Sequence, residues 1–356
     1  MKSIIDISVK NAKYYLTTLT IFLGLLNANA IEKRGLIIGL GDYGPDTEWY
    51  ETHGDNDANS MLEKVKTIGF NNVSKLVNNQ ATKQNILSHI NAIYDSCSKG
   101  DIVLLYFAGH GQLIVDYNGD ESDGYDESLV LYNAPKYYDA LYNNENHLLD
   151  DELSEIVNRF RIKLGIDGQF LLMVDAGFGW SGSAAVFPYE RGGSLPLEAN
   201  RETHDFEKIG LYETGIIDDL PFSMPSAGHA NLFHVSANHI MGTARELNGN
   251  GILTLAITRS FENLNDSMDY EAWFTKIKWY SSKMDYIQVP LAEGNGSTVV
   301  FDLYNQTEGS DYDADYAIQD TTATTSAQEI NILSNLKDRL IEEHNNSADS
   351  PDFGIF

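Results

Sequence analysis

Cysteine is almost absent from this chain: Cys97 is the only one among 356 residues. An intramolecular disulfide is therefore excluded. A folded state must depend on its apolar core, for which a hydrophobic content of 42% is ample. Since a lone cysteine can also be a nucleophile, Cys97 has two interpretations, a small buried apolar residue or a reactive thiol.

Basic residues are also scarce. There are 24 Lys and Arg residues against 52 Asp and Glu, which gives a formal net charge of −28. Nucleic-acid binding needs a basic surface, so this composition argues against it. The acidic excess is compatible with a solvated surface, and equally with a site for a cation or for a basic substrate.

Long apolar runs are missing beyond the N-terminus. There, three lysines precede the apolar residues 16–26, and Ala28-Asn29-Ala30 supplies the small residues of a cleavage site. The run is short for a bilayer span. It therefore predicts a secretory signal peptide over residues 1–30 and a secreted or periplasmic mature chain without a stable membrane span, with an uncleaved anchor as the alternative.

Short apolar runs without polar alternation recur between segments of helical spacing. This pattern indicates an α/β fold with a mostly parallel sheet and helices on both faces. Predicted strands cover 32–40, 73–76, 101–107, 169–174 and 231–237, and predicted helices cover 53–69, a segment that begins after the N-cap Thr82, 150–161, and a segment that begins at 251.

The carboxyl ends of parallel strands form the edge of a sheet where ligands bind. His110 follows the strand 101–107 and Gly177 follows the strand 169–174, so both are expected on one rim. The Gly- and Pro-rich stretch 182–226 is predicted to be a long surface loop, with Arg191 and Arg201 as exposed candidates for internal cleavage. Residues 307–356 are predicted to be an acidic tail with one amphipathic helix.

Several separated motifs occur in one fixed order, and through them the chain resembles the caspase-like cysteine peptidases, within them the metacaspases and the bacterial orthocaspases, over residues 33–302. The motifs are Leu36–Leu40, Gly54–Ala58, Ala81–Ile86, Gly100–Gly111, Gly119–Glu127 with Asp150–Leu153, Met173–Ala176, Ser236–Thr254 and Gln288–Pro290.

The resemblance implies a caspase-like sandwich in a domain over 31–306, with a large-subunit-like part (31–180) and a small-subunit-like part (227–303). It implies a cysteine-type endopeptidase ancestry and proteolysis after Arg or Lys, so that the partner is a basic peptide or protein segment. In this family His110 would be the catalytic base, and the N–H groups of Gly111 and Gly177 would form the oxyanion hole.

Asp57 and Asp175 match the family's acidic pocket, which would pair with the basic side chain of a substrate. The alternative for each is an ordinary turn or cap aspartate. Asp126, Asp150 and Asp151 match the family's calcium ligands. A fourth calcium ligand has no match after Gly177, and Asp150 and Asp151 also suit a helix N-terminus.

The nucleophile is missing. Where the family has cysteine in the loop after Met173–Ala176, this chain has Gly177. Ser181 is a candidate substitute, although serine needs stronger activation than cysteine. Cys97 stands in a similar-looking motif but precedes the histidine strand, about seven extended residues or roughly 20 Å from the rim, so it is interpreted as structural.

Three hypotheses follow. The first is a secreted pseudo-peptidase that binds basic peptides and is expected to be inactive. The second is an active endopeptidase with a substitute nucleophile, Ser181. The third is a calcium-responsive regulatory partner that associates with an active family member. The missing thiol favours the first.

Overall fold

The computed structural model describes residues 31–116, 125–137, 142, 144–178, 190–191, 228–238, 243–265, 267–285 and 288–301. The predicted signal peptide, the tail, Ser181, Arg201 and most of the stretch 182–226 lie outside the described residues.

A six-stranded sheet forms the centre of the fold, in the strand order β12-β9-β7-β3-β1-β2. All neighbours are parallel except β12, which runs antiparallel to β9. The strands are β1 (Lys33–Gly39), β2 (Asn72–Val77), β3 (Ile102–Ala108), β7 (Gln169–Asp175), β9 (Asn231–Ser236) and β12 (Leu291–Gly294). The predicted mostly parallel α/β fold is confirmed.

Five α-helices are described: α1 (Gly54–Thr67), α2 (Lys83–Ser96), α3 (Asp150–Leu164), α4 (Ile252–Ser260) and α5 (Tyr270–Met284). The predicted N-cap is confirmed, because the Thr82 hydroxyl accepts a hydrogen bond from the N–H of Asn85 at 3.3 Å. The helix α5 was not predicted. Its N-cap is Asp269, whose carboxylate accepts from the N–H of Ala272 at 2.8 Å.

Two smaller sheets lie beside the main one. One contains β4 (Gly111–Val115), β5 (Tyr125–Val130) and β6 (His147–Leu149), and the other contains β8 (Glu190–Arg191), β10 (Ala244–Leu247) and β11 (Asn250–Gly251). The strands β10 and β11 form a hairpin whose turn is Asn248-Gly249. Both turn residues have positive φ, 54° and 78°, which is the backbone form that favours an Asn-Gly turn.

Apolar side chains cover both faces of the main sheet. On one face, Leu36 and Ile38 pack in a cluster with Ile86 of α2 and Leu153 of α3. On the other, Ile37 packs in a cluster that includes Ala58 of α1, Leu253 of α4 and Trp273 of α5. Because successive strand residues point to opposite faces, each apolar strand contributes to both cores. None of the helices described is both long and apolar enough to cross a membrane.

Candidate active site

His110 lies in the turn between β3 and β4, at the carboxyl end of the main sheet. Its side chain is buried, and Nε2 lies 2.9 Å from the carbonyl oxygen of Tyr50. The indole of Trp49 stacks on the imidazole with a centroid distance of 4.6 Å. Burial lowers the pKa of His110 to about 4. The ring is therefore neutral at pH 7, the form that a general base requires.

Gly177 lies two residues beyond the end of β7, beside the His110 turn. Its carbonyl oxygen accepts a hydrogen bond from the N–H of Gly111 at 3.2 Å. In this arrangement that N–H, expected as an oxyanion donor, is therefore engaged within the chain. A Cβ atom at position 177 would lie 2.5 Å from the carbonyl oxygen of Arg191. The position of the missing nucleophile thus faces the Arg191 carbonyl with no side chain to attack it.

Asp57 in the first turn of α1 and Asp175 at the end of β7 lie on either side of one buried guanidinium, that of Arg191. Arg191 Nη2 donates to Asp57 Oδ2. Arg191 Nη1 lies 3.3 Å from Asp175 Oδ1 and donates to the backbone oxygen of Asp175 at 2.9 Å. All three side chains are 0% exposed. The two aspartates matched to an acidic pocket therefore surround a basic side chain, and that side chain comes from the same chain.

A third carboxylate, Glu246 on β10, completes this pocket and was missed by the sequence analysis. Its Oε1 accepts from Nε and Nη2 of Arg191, both at 3.0 Å. Its Oε2 lies 2.5 Å from Nδ1 of His53. The available signal was the strand alternation before the Asn248-Gly249 turn, since Glu246 lies two residues after the buried Ala244 and so points the same way.

The start of α4 holds the two aspartates in place. The N–H of Gly251 donates to both carboxylate oxygens of Asp57, at 3.0 and 3.1 Å. The N–H and hydroxyl of Thr254 donate to Asp175 Oδ2 at 2.9 and 2.6 Å. A Cβ atom at position 251 would lie 2.2 Å from Asp175 Oδ2 and 2.7 Å from Arg191 Nη1. Glycine is therefore needed here to leave room for the guanidinium.

Burial and the guanidinium act in opposite directions on these carboxylates. Burial raises the pKa of Asp57 to about 7, although Arg191 works to lower it. For Glu246 burial also works to raise the pKa, but the charge of Arg191 and the hydrogen bonds from His53 outweigh it, and the pKa is lowered. Three carboxylates surround the one guanidinium, whose charge partly compensates for their burial.

Arg191 reaches the pocket because β8 pairs with β10. The pairing is antiparallel, with Arg191 opposite Ala244 and Glu190 opposite Arg245. An extended segment has thus been added to the edge of a sheet, as peptides are in many recognition domains. The prediction that Arg191 is an exposed residue was wrong, because its side chain is fully buried by long-range contacts that a local reading of the sequence does not reveal.

The residues matched to calcium ligands lie at β5 and the first turn of α3. Asp126 and Asp150 are buried, and burial together with the charge of Asp126 raises the pKa of Asp150 to about 8. Among the side chains that the structure describes, no three His, Cys, Asp or Glu residues form a group that could hold a metal ion. The described residues alone do not make a complete calcium site, and calcium binding stays a prediction.

Cys97, which the sequence analysis interprets as structural, precedes β3, and His110 follows the other end of that strand. Cys97 follows α2 and is buried, and burial raises the pKa of its thiol to about 11, so it is a poor nucleophile. His234 is buried within β9, with Nδ1 3.6 Å from Glu293 Oε2. The substitute nucleophile proposed from the sequence, Ser181, lies outside the described residues.

Part of the chain matches a known family. Residues 33–179, less than half of the chain, match the model of the metacaspase, peptidase C14 domain. Metacaspase-1 of Plasmodium falciparum (isolate 3D7) is 32% identical over 134 residues, which cover 34% of this chain and 20% of the relative. Metacaspase-1A of Neurospora crassa is 26% identical over 133 residues, which cover 35% and 27%. The chain spans only about a fifth to a quarter of these relatives.

The fold also resembles a solved structure. The crystal structure of a protein from Geobacter sulfurreducens matches with a TM-score of 0.53 and 21% sequence identity, over 74% of this chain and 94% of that one. At this identity the likeness concerns the fold alone.

Proposed function

We propose, from the match of residues 33–179 to the metacaspase, peptidase C14 domain, that the chain is a caspase-like module that recognises an Arg or Lys side chain without cleaving the bond after it. One observation carries the proposal. The Arg191 guanidinium lies among Asp57, Asp175 and Glu246 while the Arg191 carbonyl lies against Gly177. This arrangement supports recognition of a basic side chain, and Gly177 provides no side chain that could attack the carbonyl.

The pocket chemistry supports a basic ligand. A guanidinium has five donors in a planar fork, and here Nε, Nη1 and Nη2 each have a carboxylate or carbonyl acceptor. A neutral side chain of the same size would leave three buried carboxylates without a counter-charge, which costs several kcal/mol in a dry site. Specificity for positive charge is therefore retained whether or not hydrolysis occurs.

The absence of turnover follows from position 177. Covalent catalysis needs a nucleophilic atom on that residue, and glycine has none. The buried, neutral His110 would have no thiol to deprotonate. Secretion or export is part of the proposal and rests on the N-terminal sequence alone, where the apolar residues 16–26 precede Ala28-Asn29-Ala30.

A binding measurement tests recognition. Arg191→Ala vacates the pocket, and the probe is acetyl-Tyr-Glu-Arg-amide, the chain's own residues 189–191. Its matched control is the citrulline peptide, which has nearly the same shape and no charge. We expect the arginine peptide to bind at least tenfold more tightly, and we expect Glu246→Gln in the same background to reduce that difference. Equal binding of the two peptides would refute recognition of positive charge.

A hydrolysis measurement tests inactivity. The substrate is a fluorogenic peptide with Arg before the reporter, offered with and without calcium to the unaltered chain, to Arg191→Ala and to Arg191→Ala with Gly177→Cys. We expect no turnover in the first two; turnover in the third would show that the remaining machinery is intact. Turnover by the unaltered chain that disappears in His110→Ala would contradict the proposal and would favour a substitute nucleophile, with Ser181→Ala as the next variant.

The calcium-responsive alternative is favoured by one observation. Asp126 and Asp150 are two buried carboxylates close enough that the charge of one raises the pKa of the other. A divalent cation would relieve this repulsion. Under this alternative, calcium raises the melting temperature of the chain and promotes its association with an active metacaspase, measured by calorimetry and by size-exclusion chromatography of the mixture.

A further inference from the structure

We propose that Gly177 is a positioning residue for a ligand held in cis: it gives the chain's own Glu190–Arg191 strand room to lie against β10, so that Arg191 occupies the basic pocket. The inference rests on the proposed function in taking the pocket as a site for a basic side chain. It goes further in naming the occupant and the residue that admits it.

Position 177 has no room for a side chain. A Cβ atom there would lie 2.4 Å from the backbone nitrogen of Ala244, 2.5 Å from the carbonyl oxygen of Arg191 and 2.7 Å from Cα of Thr243. All three are backbone atoms: Arg191 lies in β8, Ala244 begins β10, and Thr243 immediately precedes β10. No side-chain rotation relieves such contacts, so a residue other than glycine must displace one of the two strands or the loop at Gly177.

The strands β8 and β10 differ in how firmly they are anchored. Ala244 is buried in the core cluster that contains Leu253 and Trp273. Its neighbour Arg245 is anchored as well, through its N–H to Gln288 Oε1 at 2.7 Å and through Nη1 to Asp285 Oδ2 at 2.6 Å. The described part of β8 is two residues long and is held by β10 and by the guanidinium contacts of Arg191. The contact of a side chain at position 177 with the Arg191 carbonyl oxygen is relieved only if β8 moves, while its contacts with Ala244 and Thr243 are relieved only if the start of β10 or the loop at Gly177 shifts. Since Arg191 pairs with Ala244, either movement loosens β8.

An internal strand in the pocket competes with ligands in solution. A segment of the same chain competes at an effective concentration on the order of millimolar, which a free peptide must exceed or displace. Exchanging cysteine for glycine at this position thus removes the nucleophile and, in the same step, admits a closely packed internal strand. Loss of hydrolysis and closure of the pocket are two effects of one residue.

Trypsin cleavage after Arg191 measures the occupancy directly, because a fully buried arginine cannot enter the protease. Cleavage of the Arg191–Gly192 bond is followed by mass spectrometry in the folded chain, in the chain unfolded by urea, and in Gly177→Ala. Gly296→Ala is the matched control, since a Cβ there meets only the side chain and backbone of Glu271 from 3.1 Å outward. We expect strong protection in the folded chain and in the control, and cleavage at least tenfold faster in Gly177→Ala.

Two results would overturn the inference: cleavage of the folded chain as fast as of the unfolded one, or equal protection in Gly177→Ala and the control. If Gly177→Ala fails to fold, judged by near-ultraviolet circular dichroism, a measurement that leaves position 177 untouched decides. Occupancy in cis requires acetyl-Tyr-Glu-Arg-amide to bind Arg191→Ala at least tenfold more tightly than the unaltered chain, and equal affinities contradict it.

The two proposals fail separately. If Arg191 is protected from trypsin but Arg191→Ala does not distinguish the arginine peptide from the citrulline peptide, β8 does occupy the pocket, and recognition of a separate basic peptide is wrong. If Arg191→Ala distinguishes the peptides but Arg191 is cut freely in the unaltered chain, recognition holds and occupancy in cis is wrong.

Discussion

Replacing Arg191 by methionine removes the guanidinium from a pocket of three carboxylates while keeping an apolar side chain of similar length. Removing one partner of a buried ion pair costs about 3–5 kcal/mol, because the remaining charge is left without compensation. Here the side chains of Asp57 and Asp175 are fully buried and that of Glu246 is 3% exposed. We expect a loss of about 3 kcal/mol, at the lower end of that range, since β8 can leave and water can then reach the carboxylates.

The loss should depend on pH with a definite sign. Burial gives Asp57 a folded-state pKa of about 7, against roughly 3.9 in the unfolded chain. Between these values the folded chain holds a proton that the unfolded chain has released, so stability falls as pH rises. Arg191 works to lower this pKa, so in its absence the stability of the fold continues to fall up to a higher pH. Glu246 adds to the effect, because Arg191 contributes to its lowered pKa, and the stability that this gives above the unfolded pKa is lost in the variant.

Urea unfolding of the native chain, Arg191→Met and Arg191→Lys, followed by circular dichroism at pH 5 and pH 8, measures both effects. We expect the cost of Arg191→Met to be larger at pH 8 than at pH 5, by about 1.4 kcal/mol for each unit of pKa difference. Arg191→Lys keeps the charge and should cost less at both values. An Arg191→Met variant as stable as the native chain at pH 8, or a cost independent of pH, would refute the seating of the guanidinium among the carboxylates.

Three further outcomes are expected. Gly251→Ala puts a Cβ 2.2 Å from Asp175 Oδ2, so it should abolish binding of the arginine peptide in the Arg191→Ala background, measured by calorimetry, and should destabilise the chain by about 1–3 kcal/mol. Asp150→Asn should stabilise the chain at pH 8 and have little effect at pH 4, because the folded-state pKa of Asp150 is raised to about 8 and its ionisation weakens the fold as pH rises between about 4 and 8; calcium at millimolar concentration should offset that loss in the native chain if Asp126 and Asp150 bind it. Trp273→Ala should cost about 3–5 kcal/mol in urea unfolding, since the indole is fully buried and its Nε1–H donates to Ser260 Oγ at 2.7 Å.

The core of the fold was predictable because local patterns and tertiary packing agree there. The strands β1, β3 and β7 are short apolar runs, and almost every one of their residues is buried. A strand buried on both faces has no polar alternation, so the pattern itself indicates a covered parallel sheet. The helix α5 had weaker signals, an N-cap aspartate and the buried series Trp273, Ile277 and Ser281 at helical spacing, and it was not predicted.

The pocket was predictable in part. Asp57 and Asp175 were found through the family motifs, and the structure brings them together. Glu246 was accessible from strand alternation, but its strand, Ala244–Leu247, is only four residues long. The burial of Arg191 in this pocket could not be predicted from the sequence. The strand β8 is two residues long and has no periodicity, and the residues that bind Arg191 lie 134, 16 and 55 positions away in sequence.

The absent side chain at position 177 and the buried Arg191 depend on each other. Under the proposed loss of hydrolysis, no acyl transfer follows at Arg191, and its carbonyl can remain beside Gly177. Without the guanidinium, the buried carboxylates Asp57, Asp175 and Glu246 would repel one another in a site that excludes water. Arg191 neutralises part of that charge, and Gly177 provides the space that its backbone requires. A change at either residue should therefore alter the effect of a change at the other, and a double-mutant cycle of Gly177→Ala and Arg191→Met should give a coupling energy well above the 0.5 kcal/mol or less expected for independent sites.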